Sequence, residues 1–154
     1  MVFYYTYGSK TEVFAKALGE FLKQPTYKLE SDLNDRAGFS FMFKAVRLAL
    51  AKKAYPVRNM PVDKPAGSIF VCSPVWGGGL AAPARYFLEN TDLAGVRVNV
   101  LLTAGMVTEK YRQRAYDYLN QLNCVPGQVY LFAATSKIPP EHDVLIEQYS
   151  EIIK

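Results

Sequence analysis

Six consecutive residues near the start of the chain, Thr6-Tyr7-Gly8-Ser9-Lys10-Thr11, combine three side-chain hydroxyls with a glycine, an ammonium and a phenol. They separate a short apolar run from an amphipathic one. Hydroxyl and amide donors at the start of a helix, with the positive end of the helix dipole behind them, suit an anion such as a phosphate. Gly8 permits a tight backbone path, Thr6, Ser9 and Thr11 offer hydroxyls, and Lys10 brings a positive charge. The plainer reading is that Ser9 or Thr11 simply caps the helix. The stretch is neither a GxxxxGK[ST] phosphate loop nor a GxGxxG dinucleotide turn.

Two later stretches have related chemistry. In "SPVWGGGLAAPARYFLEN", Pro74, Val75 and the only tryptophan, Trp76, run into Gly77-Gly78-Gly79, where a backbone without side chains can approach a flat ligand. Trp76 fits either stacking on a ring or packing at a sheet edge. In "TAGMVTEKY", Thr103, Ala104 and Gly105 form another small-residue turn, which an ordinary strand-to-helix bend also explains.

The elements that must hold these turns follow from periodicity. Strand-like runs cover Val2 to Thr6, Thr26 to Leu29, Ser68 to Ser73, Arg97 to Thr103 and Gln128 to Ala134. "SIFVCS", "VNVLLT" and "VYLFAA" lack polar alternation, as expected of strands covered on both faces. Helical spacing spans Thr11 to Lys23, with Val13, Phe14, Ala17, Leu18, Phe21 and Leu22 on one stripe, then Ser40 to Lys53, Ala82 to Leu88, Lys110 to Leu122, and Glu141 to Ile153 behind Pro139-Pro140. Alternating strands and helices predict a three-layer α/β/α sandwich on a parallel sheet, in one domain spanning 1–154. Ligands of such sheets bind beyond the carboxyl ends of the strands, where all three turns fall.

Within "GFSFMFKAVRLAL", Phe39, Met42, Phe43, Val46 and Leu50 form one stripe, expected to pack in the core, while Phe41 and Leu48 lie off it. From Arg36 to Arg58, Lys44, Arg47, Lys52 and Lys53 accumulate, and no acid occurs between Asp35 and Asp63. A solvated helix face explains this run, and docking of an acidic partner or phosphate is the alternative.

Other chemistry finds little support. The formal charge of +4 is modest and no nucleic-acid reading motif is present, so no nucleic acid is expected as a partner. No apolar run is long enough to span a membrane and no secretory leader precedes Val2, so a cytoplasmic protein without a membrane partner is expected. Cys72 and Cys124 show no metal-ligand spacing, and Cys72 sits in an apolar strand that suppresses thiolate formation. The only histidine, His142, reads as a surface residue, and no Ser/His/Asp arrangement assembles around it. A phospho-receiver would want acids after the first strand, where Thr6 and Tyr7 stand.

Taken in order and spacing, "TYGSKTEVFAKAL", "SPVWGGGLAAPARYFLEN" and "DLAGVRVNVLLTAGM" resemble the three cofactor loops of the flavodoxin family, and the similarity extends over essentially the whole chain. The resemblance implies a five-stranded parallel sheet of order 2-1-3-4-5 and non-covalently bound FMN. It implies the phosphate among Thr6, Gly8, Ser9, Lys10 and Thr11. Ribityl and ring would be flanked by Pro74, Val75, Trp76 and Gly77, and the pyrimidine side approached by Thr103, Ala104 and Gly105. The family's third-position hydroxyl and fourth-position glycine are interchanged here as Gly8 and Ser9. Ser9 would pay about 1 kcal/mol if that site needs a positive φ. The extra aromatics of "GFSFMFKAVRLAL" would cover the flavin edge or a subunit interface. The implied function is electron transfer to a redox partner protein or small-molecule acceptor. The alternatives are an NAD(P)H-dependent quinone or flavin reductase of the same fold, and a flavin-free module for another phosphate ligand.

Overall fold

The computed structural model describes residues 1–35, 38–61, 63–134 and 141–153. Eleven elements follow in the order β1 (Val2–Tyr4), α1 (Lys10–Phe21), β2 (Thr26–Lys28), α2 (Gly38–Leu50), β3 (Ser68–Trp76), β4 (Gly79–Leu80), α3 (Ala82–Asn90), β5 (Arg97–Ala104), α4 (Glu109–Leu119), β6 (Val125–Ala133) and α5 (His142–Ile152). Arg36 of the basic run and the Pro139-Pro140 pair ahead of α5 lie outside the described residues.

The main path of the sheet is β2-β1-β3-β5-β6, all neighbours parallel. This is the expected 2-1-3-4-5 order with one addition. Val75 and Trp76 continue β3 beyond Ser73 and pair antiparallel with Leu80 and Gly79. Gly77 and Gly78 make that turn with φ of 57° and 85°, a left-handed path that side-chain-bearing residues resist. The glycine run therefore builds a sixth strand rather than an open loop.

Strand periodicity divides the core into two layers. Val2 and Tyr4 of β1 and Phe70 and Cys72 of β3 pack with Phe14 and Leu18 of α1 and Leu145 and Tyr149 of α5. The alternate residues, Phe3, Ile69, Val71, Val98 and Val100, pack with Ala84 and Phe87 of α3 and Ala115 and Leu119 of α4. The Tyr149 hydroxyl donates to the Phe14 carbonyl at 2.7 Å, tying α5 to α1. At the β5–β6 seam the register shifts between Val98 and Val100. Asn99 occupies the irregularity: its amide donates to Ser68 Oγ and the Ile69 carbonyl, and its oxygen accepts the Gln128 N–H at 3.0 Å.

Helix α2 departs from expectation. It is Phe41 and Ala45 that are buried, packed with Leu33 and against Leu48, Tyr55 and Trp76. The stripe expected in the core points outward, with Phe39 85%, Leu50 77%, Met42 59%, Phe43 58% and Val46 47% exposed. Both sides of this helix are apolar, so periodicity alone selects neither. The inner side is decided by shape, because the Phe41 ring stacks on Tyr7 and meets the edge of Trp76.

Candidate functional site

The carboxyl ends of β1, β3 and β5 converge on a cleft of about 470 Å³, within the range of small-molecule sites. Thr6, Gly8, Ser9, Lys10 and Thr11 line one side. Pro74, Val75 and Trp76 line another, and Thr103, Ala104 and Gly105 complete it. Of the twelve residues named from sequence, only Gly77 is elsewhere: it lines a separate cavity with Arg85 and Arg114, and its carbonyl lies 3.4 Å from the Arg114 guanidinium.

The first loop is held by its own hydrogen bonds. Thr6 Oγ1 donates to the Gly8 carbonyl at 2.7 Å, and Asn34 Nδ2 donates to the Thr6 carbonyl at 2.9 Å. The Thr6 proton is thereby committed to loop shape. Ser9 stands at the N-cap position of α1 with φ −103° and ψ −11°, and its hydroxyl makes no capping bond. The interchange of glycine and serine consequently carries no left-handed strain. The first turn of α1 keeps amides that no side chain caps. A Cβ built on Gly8 meets nothing within 4 Å.

Thr11 and Thr103, both buried, share a hydrogen bond of 2.8 Å between their hydroxyls. Whichever donates, the other keeps its own proton for a further acceptor. This places Thr103 beside the first loop rather than only at the third. Lys10 Nζ reaches the Ala134 carbonyl at 2.8 Å, with two protons remaining, so its charge leans over the rim between α1 and the end of β6.

Trp76 packs against the protein's own rings and also lines the cleft. It is edge-on to Tyr5 at 5.5 Å and to Phe41 at 5.5 Å, while remaining half-buried in the cleft wall. Tyr7 and Ala134 line the cleft without having been singled out as site residues. Tyr7 was visible as the aromatic within the hydroxyl loop, but its stacking partner Phe41 comes from a helix far along the chain. Burial pushes the Tyr5 phenol well above its ordinary pKa, so it faces the wall as a neutral group.

The reactive side chains weighed from the sequence, His142 and Cys72, do not line the cleft. His142 pairs with Glu20 at 2.9 Å on the surface, remote in the fold from the cleft lining. The Cys72 thiol is fully buried and pushed upward by desolvation. No group of metal-binding side chains exists among the described residues.

No family model matches the chain and no curated protein does. Solved structures do. A presumed flavoprotein from Bacteroides uniformis superposes over 97% of this chain and 96% of its own, with TM-score 0.76 at 19% identity. A flavoprotein from Lactobacillus acidophilus, crystallised in complex with FMN, covers 97% and 96% with TM-score 0.63 at 17% identity. The flavodoxin, WrbA-like protein from Agrobacterium tumefaciens covers 99% and 92% with TM-score 0.59 at 10% identity. These likenesses, together with the chain's own parallel β2-β1-β3-β5-β6 order, give it the flavodoxin-like fold.

Proposed function

We propose that the cleft binds FMN non-covalently and that the protein is a small flavin-dependent redox protein. The observation that carries this reading is the convergence of three separate strand ends on one cleft, with an uncapped helix start on one side and an indole on another. The FMN complex of the Lactobacillus acidophilus neighbour supports it.

The residues fit the group chemically. A phosphate near charge −2 is matched by the α1 amides, the Ser9 hydroxyl, the free proton of the Thr11–Thr103 pair and Lys10. The open space beside Gly8 admits an oxygen where a side chain would stand. When bound, FMN supplies the electron-accepting chemistry, and the chain orients it and limits water access. Trp76, Val75 and Pro74 provide an apolar wall that disfavours excess negative charge on a ring beside it. The buried, neutral Tyr5 behind Trp76 keeps that wall free of a phenolate.

The deciding experiment is the visible spectrum of freshly purified protein, followed by titration of FMN fluorescence. A yellow protein, or saturable quenching of added FMN, is expected. A colourless protein that leaves FMN fluorescence unchanged selects the flavin-free module.

A reductase is the second reading, supported by an NADPH-quinone reductase from P. pentosaceus that covers 99% of this chain and 95% of its own with TM-score 0.55 at 9% identity. Steady turnover of a quinone with NADH or NADPH alone would establish it. Dependence on a separate protein reductase would establish the electron shuttle.

A further inference from the structure

We propose that the outer face of α2 docks on the surface of a bilayer containing anionic lipid. The inference is independent of the flavin reading and needs no cofactor. Its basis is the stripe that folds outward: Phe39, Met42, Phe43, Val46 and Leu50 project from one side of a thirteen-residue helix. At 100° per residue they occupy an arc of roughly 100°. An apolar groove of about 600 Å³ runs along its flank, lined by Phe39, Phe43 and Leu48 together with Lys44, Arg47 and Lys53.

Charge selects the occupant. The sequence carries no acid from 36 to 62, so α2 itself brings cations and no anion to this face, and the carboxylates of Glu89 and Asp117 adjoin it only in the separate cavity at Leu50. Lys44 is steadied by the Tyr55 hydroxyl at 2.9 Å, and Arg47 lies over the Phe43 ring at 5.9 Å. A second copy fits poorly. An antiparallel two-fold pairing of α2 with itself would bring both Lys44 and Arg47 flanks to the same edge, like against like. An anionic bilayer offers one sign of charge over a surface that yields to protruding rings. Basic residues beside exposed Phe and Leu on a helix are the pattern of interfacial docking. Phe39 and Leu50, near the two ends of α2, project as a ridge beside that groove. No helix among the described residues is long and apolar enough to cross a membrane, so the contact would be peripheral.

The test is flotation of the full-length protein with vesicles of phosphatidylcholine alone, or of phosphatidylcholine with phosphatidylglycerol. Binding is expected only with the anionic vesicles, weakening as salt rises. The double variant Phe39→Ser with Leu50→Ser should bind at least about ten-fold more weakly, because each removes exposed hydrocarbon that only the bilayer would cover. Arg47→Gln with Lys53→Gln should weaken binding and flatten its salt dependence. These positions are exposed, and circular dichroism should show unchanged helix content. Failure to float with anionic vesicles overturns the proposal, as does binding indifferent to the Phe39/Leu50 variant. A dimer seen in sedimentation velocity that this variant dissolves would assign the face to self-association instead. Binding of an acidic amphipathic peptide without vesicle binding would assign it to a protein partner.

Discussion

The hydroxyl pair Thr11–Thr103 joins two cleft loops through one buried hydrogen bond of 2.8 Å, and the accepting hydroxyl keeps its own proton for a further acceptor. Thr11→Val should therefore weaken FMN by about ten-fold, the scale of one hydrogen bond to a charged group, and riboflavin much less. Equal losses for both ligands, measured by fluorescence titration, would place the phosphate elsewhere. Gly8→Ala separates folding from binding. Gly8 needs no left-handed φ and its Cβ would enter open space, so thermal stability should change by less than about 0.5 kcal/mol while FMN affinity falls. Trp76→Leu should alter the bound-flavin absorption spectrum or reduction potential, and an unchanged pair of values would show that the indole does not face the ring.

At the scale of elements, two junctions set the cleft. Phe41 fastens α2 to the first loop by lying on Tyr7 with an interplanar angle of 6°, and it also touches Trp76. Phe41→Ala should cost about 3 kcal/mol in urea unfolding, the usual loss for a buried aromatic, and should loosen the Tyr7 side of the cleft. The β5–β6 seam is the second junction. A Cβ on Gly127 would press on Asn99 Oδ1 and stand 2.7 Å from the Val98 carbonyl, both part of the register shift. Gly127→Ala should destabilise the fold by about 1–3 kcal/mol, as overpacking does. The measurement is the denaturation midpoint, and an unshifted midpoint would show that the seam has slack.

For the whole molecule, pH acts through groups spread over both faces. Lys16, hydrogen-bonded to Glu12, together with Lys28 and Tyr4, holds the Glu12 carboxyl below its ordinary value. A lowered folded pKa means the stabilisation is present above the ordinary carboxylate range and is lost as pH falls through it. At the other end, burial raises the phenols of Tyr118, Tyr149 and Tyr5, and lifts Tyr4 to about 12. A raised folded pKa leaves stability intact below the unfolded phenol value near pH 10 and removes it as pH climbs beyond. Urea unfolding should therefore show a plateau around neutrality and a steep loss above about pH 10. Tyr149→Phe should make the alkaline fall shallower, at the expense of its bond to the Phe14 carbonyl at neutral pH.

The sequence by itself determined the alternation of strands and helices, the parallel sheet and the three turns at its carboxyl edge. Local patterns encode these directly: unbroken apolar runs for doubly covered strands, helical stripes between them, and hydroxyl or glycine clusters where they meet. Only tertiary structure decided which apolar side of α2 faces inward, since Phe41 is chosen by the rings of Tyr7 and Trp76 and not by spacing. It likewise decided that Thr103 bonds to Thr11 and that Gly77 turns a hairpin away from the cleft. Those outcomes depend on contacts between residues distant along the chain, where shape complementarity and hydrogen-bond partners are set by the assembled sheet.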